Sequence, residues 1–165
     1  MFTAKQRFKN IWIWALMMLI NMWMGYNLVM QLFFEVPMGD RPTSNLLLVV
    51  IFLVPFAMLI LMKVMYLKVF ITQEEVVIRY FPFVKTVIPM EKIKSITVQE
   101  YSALMDYGGW GIRYGMKGKA YIIDGNKGLN LNLTNGENIL VGINSNCDLT
   151  SLNLNLPPVN FSDSR

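Results

Sequence analysis

The sequence predicts a membrane helical hairpin followed by a mainly-β domain of about seven antiparallel strands, closed by a short C-terminal helix. Three observations carry that expectation. Apolar residues make up 54% of the chain, 13 of them methionine, and they concentrate in the first 70 positions, leaving the chain too oily for one ordinary soluble domain. From about Lys68 the pattern changes to an alternation of apolar and polar residues, the mark of half-buried strands. The final leucines recur at helical intervals and run into Pro157-Pro158, which ends a helix.

Residues 1–9 form a basic arm with Lys5, Arg7 and Lys9. Residues 10–34 carry no charge, and a helix of roughly 20 residues suffices to cross the hydrocarbon core, so this is the first expected transmembrane helix. Residues 35–45 connect it to the second, residues 46–67, whose apolar run "NLLLVVIFLVPFAMLILM" begins at Asn45 and holds Pro55 at mid-span, where a kink is tolerable. A soluble helical hairpin would show a polar stripe, and these stretches show almost none. A cleaved signal peptide would have a shorter apolar region ending at small residues, whereas this one ends "LFFEVP", so an uncleaved anchor is expected.

Charge gives the expected orientation, because Lys and Arg are retained on the cytoplasmic side. Lys5, Arg7 and Lys9 precede the first helix and Lys63 and Lys68 close the second, while the loop "EVPMGDRPTS" has Arg41 against Glu35 and Asp40. Both termini are therefore expected in the cytoplasm and the loop outside. The same count absorbs the net charge of +4, since nine basic and nine acidic residues balance from Gln73 onward. No excess is left for nucleic acid, unless charges cluster in three dimensions.

Asn21, Asn27 and Gln31 interrupt the first helix, and polar side chains in lipid must find partners. Asn27 and Gln31 share a face at a spacing of four, with Asn21 rotated away. Contacts with the second helix or another copy are expected, rather than a transport path.

Seven strands are expected from "KVFIT", "VVIRYF", "VKTVIP", "KSITVQEY", "KAYIID", "LNLNLT" and "NILVGI". Asn135-Gly136 between the last two predicts a hairpin with a two-residue type I′ turn. Ser145 and Asp148 have capping-box spacing at the start of the closing helix, with Leu149, Leu152 and Leu156 as its apolar face.

Four strands, three strands and a C-terminal helix is the layout of a pleckstrin-homology-like domain. The chain resembles a bacterial PH-like family whose members carry such a domain after two transmembrane helices. The likeness rests on "FIT" at Phe70–Thr72, "IPMEKIKSI" at Ile88–Ile96, "GGWGIR" at Gly108–Arg113 and "AYIIDGNKGLNLNLTNGENILVG" at Ala120–Gly142. It spans residues 68–156, leaving 157–165 as a flexible tail. It implies the fold and a place in a bacterial cytoplasmic membrane, multi-pass, and it implies no reaction. Some PH domains bind phosphoinositides through basic residues around the first strand pair. Here the corresponding turn is Gln73-Glu74-Glu75, which repels phosphate, so that route is not expected.

The residue inventory gives no catalytic or metal site and no cofactor. Histidine is absent, which removes the commonest general base and most zinc sites. Cys147 stands alone, and Glu74, Glu75, Asp106, Asp124, Glu137 and Asp148 fall at turns or caps, where acidic residues serve structure.

"YGGWGIRYG", Tyr107–Gly115, holds the remaining signal. Gly109-Trp110-Gly111 begins a G-x-G-x-x-G pattern, but position 114 is Tyr114, no G-K-[ST] follows, and no helix is expected after it. Glycines within a strand pattern mark a bulge or sharp bend, so Gly108, Gly109 and Gly111 are expected at a corner between the two strand groups. Trp110 would fill or cover the barrel and Arg113 would pair a carboxylate or bind backbone carbonyls. The competing reading makes both an exposed contact patch, since both types are enriched at interface hot spots.

The function expected from these features is a non-enzymatic, membrane-anchored interaction or scaffolding module, integral to the bilayer, with a protein partner or another copy docking on its soluble part. The alternative is a small accessory or regulatory subunit of a transport or envelope assembly, contacting its partners through Asn21, Asn27 and Gln31.

Overall fold

The structure, a computed structural model, describes residues 2–37, 43–115, 118–143 and 159–161. The chain divides into two compact units, residues 9–64 and the remainder, the latter formed by residues 1–8 together with those from 65 onward.

The helical unit consists of α1 (Ile11–Phe33) and α2 (Asn45–Val64). Asn10 caps α1, its side chain accepting from the Trp12 and Ile13 amides at 3.1 and 3.4 Å. At 1.5 Å per residue the helices are roughly 34 and 30 Å long, enough for a hydrocarbon core of about 30 Å. Both are long and apolar enough to cross a membrane. Their surfaces matter as much as their lengths. Trp12 is 81% exposed, Met22 72% and Leu46 77%, and only Met24, Leu48 and Met62 are buried. A core helix of a soluble protein would hide such residues. The helices approach closely at Gly25, where an added Cβ would sit 3.4 Å from Phe52.

The other unit is a β domain of two sheets. The first has the order β1 (Phe2–Arg7), β2 (Tyr66–Ile71), β3 (Glu75–Phe81) and β4 (Val84–Pro89), all antiparallel. The second is formed by β5 (Ile93–Glu100), β6 (Gly111–Gly115), β7 (Gly118–Ile122), β8 (Lys127–Leu133), β9 (Asn138–Ile143) and β10 (Val159–Phe161), in the order β10-β5-β8-β9-β7-β6. Alternation along the first sheet sends Phe2, Ala4, Leu67, Val69, Ile71, Val76, Ile78, Tyr80 and Ile88 into a common core. Ile96, Tyr121, Leu129, Leu131, Ile139 and Val141 of the second sheet, with Ile123 just past β7, meet them there. Two tyrosines tie the layers together: the Tyr80 hydroxyl donates to the Ile122 carbonyl at 3.3 Å, and the Tyr121 hydroxyl lies 2.8 Å from Thr86 Oγ1.

All seven expected strands are present, but the arrangement differs from the expected four-plus-three antiparallel barrel. The basic arm is not an arm: Phe2–Arg7 alternates buried and exposed residues and pairs with β2 from Phe2↔Ile71 to Arg7↔Tyr66. It takes the place in the first sheet expected for β5, which pairs with β8 instead. The second helix ends at Val64 and β2 begins at Tyr66, so residues 66 and 67, expected in that helix, are strand. Two pairings are parallel, β7 with β9 and β10 with β5. Among the described residues no ladder joins the two sheets, so they form two packed layers and not a closed barrel. Residues 159–161, expected in a flexible tail, form β10. The residues of the expected closing helix, with Ser145, Cys147 and Asp148, lie outside the described residues.

The Asn135-Gly136 hairpin joins β8 to β9 as expected, though not through a two-residue turn. The Gly136 amide donates to Leu133 O and the Leu133 amide to Glu137 O, and only Gly136 has positive φ, at 85°. A longer loop with one glycine in the left-handed region replaces the type I′ geometry.

Candidate interaction site

The glycine-rich segment lies beside a short helix that the sequence reading missed. α3 (Ala103–Tyr107) begins at Ser102, whose Oγ accepts from the Met105 amide at 3.3 Å, while Asp106 Oδ2 accepts from the Ser102 amide at 2.8 Å. It ends at Gly108, in the left-handed region with φ 69°, and the Gly109 amide reaches back to Ala103 O at 2.7 Å. With the Gly108 amide donating to Leu104 O at 3.0 Å, that is a left-handed glycine stop, which explains the first glycine pair: a side chain at Gly108 would be strained by positive φ. Gly111, φ 113°, then opens β6, the edge strand next to β7. The expected corner is thus a helix stop followed by entry into an edge strand.

α3 covers the outer face of the second sheet. Tyr101, Ala103 and Tyr107 pack there with Ala120, Ile122 and Leu140, and Trp110 packs against this cluster from its rim. β7 and β9 are therefore apolar on both faces, which is why "AYII" and "ILV" run without alternation. Trp110 also meets Phe8 edge to face, ring centres 6.0 Å apart. It is half-buried, neither a core residue of the main layer nor a free surface one. Arg113 is exposed, and its Nε donates to the Trp110 carbonyl at 3.0 Å. Gly109 is buried beneath this guanidinium, where an added Cβ would lie 3.2 Å from Arg113 Nη2.

An open cleft of about 460 Å³ adjoins this point, lined by Tyr101, Ser102, Leu104, Trp110, Asp124 and Asn126 among others. Burial pushes the Tyr101 phenol up to about 12, with Asp124 and Tyr107 adding to the effect, and its hydroxyl donates to Asp124 O at 3.3 Å. Tyr80 is likewise pushed up to about 12 by burial, against the pull of Arg113. Both phenols stay neutral at ordinary pH and act as hydrogen-bond donors, not as bases. Large apolar side chains are exposed on α3 and β6: Leu104, which lines the cleft, is 60% exposed, Met105 91%, and Tyr114 on the β6 edge 76%. These residues, with Tyr101, were not singled out from sequence. The pattern of a serine cap and a glycine pair a few residues beyond it was the available signal for α3.

The three polar residues of α1 do not converge. Asn21 Nδ2 donates to Met17 O and Asn27 Nδ2 to Trp23 O, both at 2.7 Å and both within their own helix. Gln31 alone reaches the second segment, donating to Thr43 O at 2.6 Å and Asn45 Oδ1 at 2.9 Å. Among the described residues no group of three or more His, Cys, Asp or Glu side chains is placed to hold a metal. No protein-family model matches this chain, and no curated protein is similar to it.

Proposed function

We propose that this protein is a non-enzymatic, membrane-anchored interaction module of PH-like build, held at the cytoplasmic face of a bacterial membrane by the α1–α2 hairpin. The observation that carries the reading is the pairing of β1 with β2 across the hairpin. Arg7 stands opposite Tyr66, and only Phe8–Asn10 and Met65 separate these strands from the two helices. Two helices that each cross a bilayer once return the chain to the side it left, as paired flanking strands require. The expected topology, with the N-terminus and the β domain together, is supported by this pairing, and the Lys/Arg bias of the flanks favours the cytoplasm. The PH-like likeness is supported by the β2–β3–β4 meander and by two sheets packed on one core. The parallel pairing of β7 with β9 is a departure from it.

The docking point is the corner where Leu104 and Trp110 line the cleft, Met105 is exposed beside Leu104 on α3, and β6 forms the edge of its sheet among the described residues. An edge strand accepts an added strand by main-chain hydrogen bonds, and apolar side chains beside it supply affinity. The partner is an extended segment of a protein in the same membrane, or of a second copy. Full-length protein should co-purify it from membranes, Leu104→Asp with Met105→Asp should lose it, and the hairpin alone should not retain it. Retention of every partner by residues 9–64 would refute the reading.

The accessory-subunit alternative keeps one observation in its favour, the buried Oδ1 of Asn21, which has no hydrogen-bond partner. Replacing Asn21, Asn27 and Gln31 together by Leu separates the two, since only that alternative requires the complex to fall apart.

A further inference from the structure

Strand register produces a feature that linear charge counting hides. On the outer face of the first sheet Lys5 stands opposite Lys68, Lys68 opposite Arg79, and Arg79 opposite Lys85. Four cations thus form one row across all four strands. Side chains directly opposite in an antiparallel ladder have Cβ atoms about 5 Å apart, and like charges so placed repel. Among the described residues none of the four is paired with a carboxylate. The first carboxylate on that face of β3, Glu75, is four residues from Arg79, roughly 13 Å along the strand. Three of the cations lie instead over aromatic faces: Lys5 4.8 Å from the Tyr66 ring centre, Lys68 4.1 Å from Phe70 and Arg79 5.8 Å from Phe81. The adjoining row is Arg7, Tyr66 and Phe81, the last two stacked at 5.2 Å.

We propose that this face is a contact surface for the anionic phospholipid headgroups of the leaflet in which the hairpin is anchored. The inference rests on the membrane reading above. A repulsive row without internal counter-charge is relieved by an external anion, and the chain itself keeps one within reach. Lys68 follows the end of α2 by four residues, at most about 14 Å of extended chain. Basic side chains interleaved with aromatic ones are the composition that suits the water–lipid boundary. The route differs from phosphoinositide capture at the β2–β3 turn, where Glu74 and Glu75 stand.

The test uses the full chain with Cys147→Ser and Val87→Cys, since Val87 is 46% exposed and two residues from Lys85 on the same face. A fluorophore on the new thiol is read against a headgroup-attached quencher, in phosphatidylcholine vesicles and in vesicles with about 30 mol% phosphatidylglycerol. Quenching should rise with the anionic lipid and fall back at about 1 M salt, where screening is nearly complete. Lys68→Gln should lower the anion-dependent equilibrium about fivefold, and Lys5→Gln, Lys68→Gln, Arg79→Gln and Lys85→Gln together should abolish it. Replacing the three lysines by arginine should preserve it, which guards against misfolding as the cause. Equal quenching in both lipids overturns the inference. So does a disulfide between the introduced thiols of two copies that forms regardless of lipid, which would assign the face to self-association. Failure of the protein to float with pure phosphatidylcholine vesicles would instead refute the membrane reading itself.

Discussion

Truncating Phe2 to alanine should destabilise the β domain by about 3 kcal/mol, although Phe2 lies at the start of the chain. Its side chain is 4% exposed and packs in the main core with Ala4 and Leu67 among its members. A buried aromatic removes at least about 150 Å² from water, worth roughly 4 kcal/mol at about 25 cal/mol per Å². Large-to-small changes of Phe in cores cost about 3–5 kcal/mol, and the lower end applies because an edge strand, paired on one side only, relaxes around the gap. Thr3→Ala, one residue along and exposed on the opposite face, should stay within about 0.5 kcal/mol. Amide hydrogen exchange of the bicelle-embedded protein reads both changes directly. In the Phe2 variant the β2 amides should exchange about 100-fold faster, each ~1.4 kcal/mol being a factor of ten. If the two variants behave alike, or residues 2–7 exchange as free chain in the wild type, the first sheet has three strands and the placement of β1 is wrong.

Two further outcomes follow from the same packing. Gly118 has φ 102° and faces the Asn138 backbone carbonyl so closely that a Cβ would overlap it, so Gly118→Ala should cost about 2–3 kcal/mol and release the β6 edge, read as lost exchange protection in β6 and β7. Tyr80 and Tyr101, raised to about 12 in the folded state, release their protons near pH 10 when unfolded. The unfolded state therefore binds fewer protons between about pH 10 and 12, and stability, fully present below about pH 10, should fall by about 2 kcal/mol per tyrosine across that window after allowance for solvent screening. Urea unfolding at stepped pH should show this fall, and Tyr101→Phe should remove roughly half of it.

What was legible in the sequence followed from period and length. The two helices declared themselves by uninterrupted apolar runs, and β2–β5 and β7–β9 by alternation or short apolar blocks. β1 was hidden because its inward residues are Phe2, Ala4 and Gln6, only one of them strongly apolar, while its outward Lys5 and Arg7 have an evident second use as topology signals. β6 was hidden by its glycines and exposed Arg113 and Tyr114, and α3 by having five residues, too few for a helical period to show. The Trp110–Arg113 element could be picked out from composition, but its surroundings could not: Tyr101 and Leu104 come to share a cleft with Trp110 only when α3 folds onto β7 and β9. The cation row is the same lesson in charge. From Gln73 onward the signs cancel in sequence, and only strand register lines up Lys5, Lys68, Arg79 and Lys85.

The central claim is that one membrane hairpin is inserted within one β domain. Single cysteines at Thr3, at Glu137 and in the α1–α2 connection at Gly39, each in a Cys147→Ser background, test it in intact cells with a membrane-impermeant thiol reagent. Thr3 and Glu137 should be protected until the membrane is opened and Gly39 labelled from outside. Labelling of Thr3 and Glu137 from opposite sides, or of all three from the same side, would contradict the account.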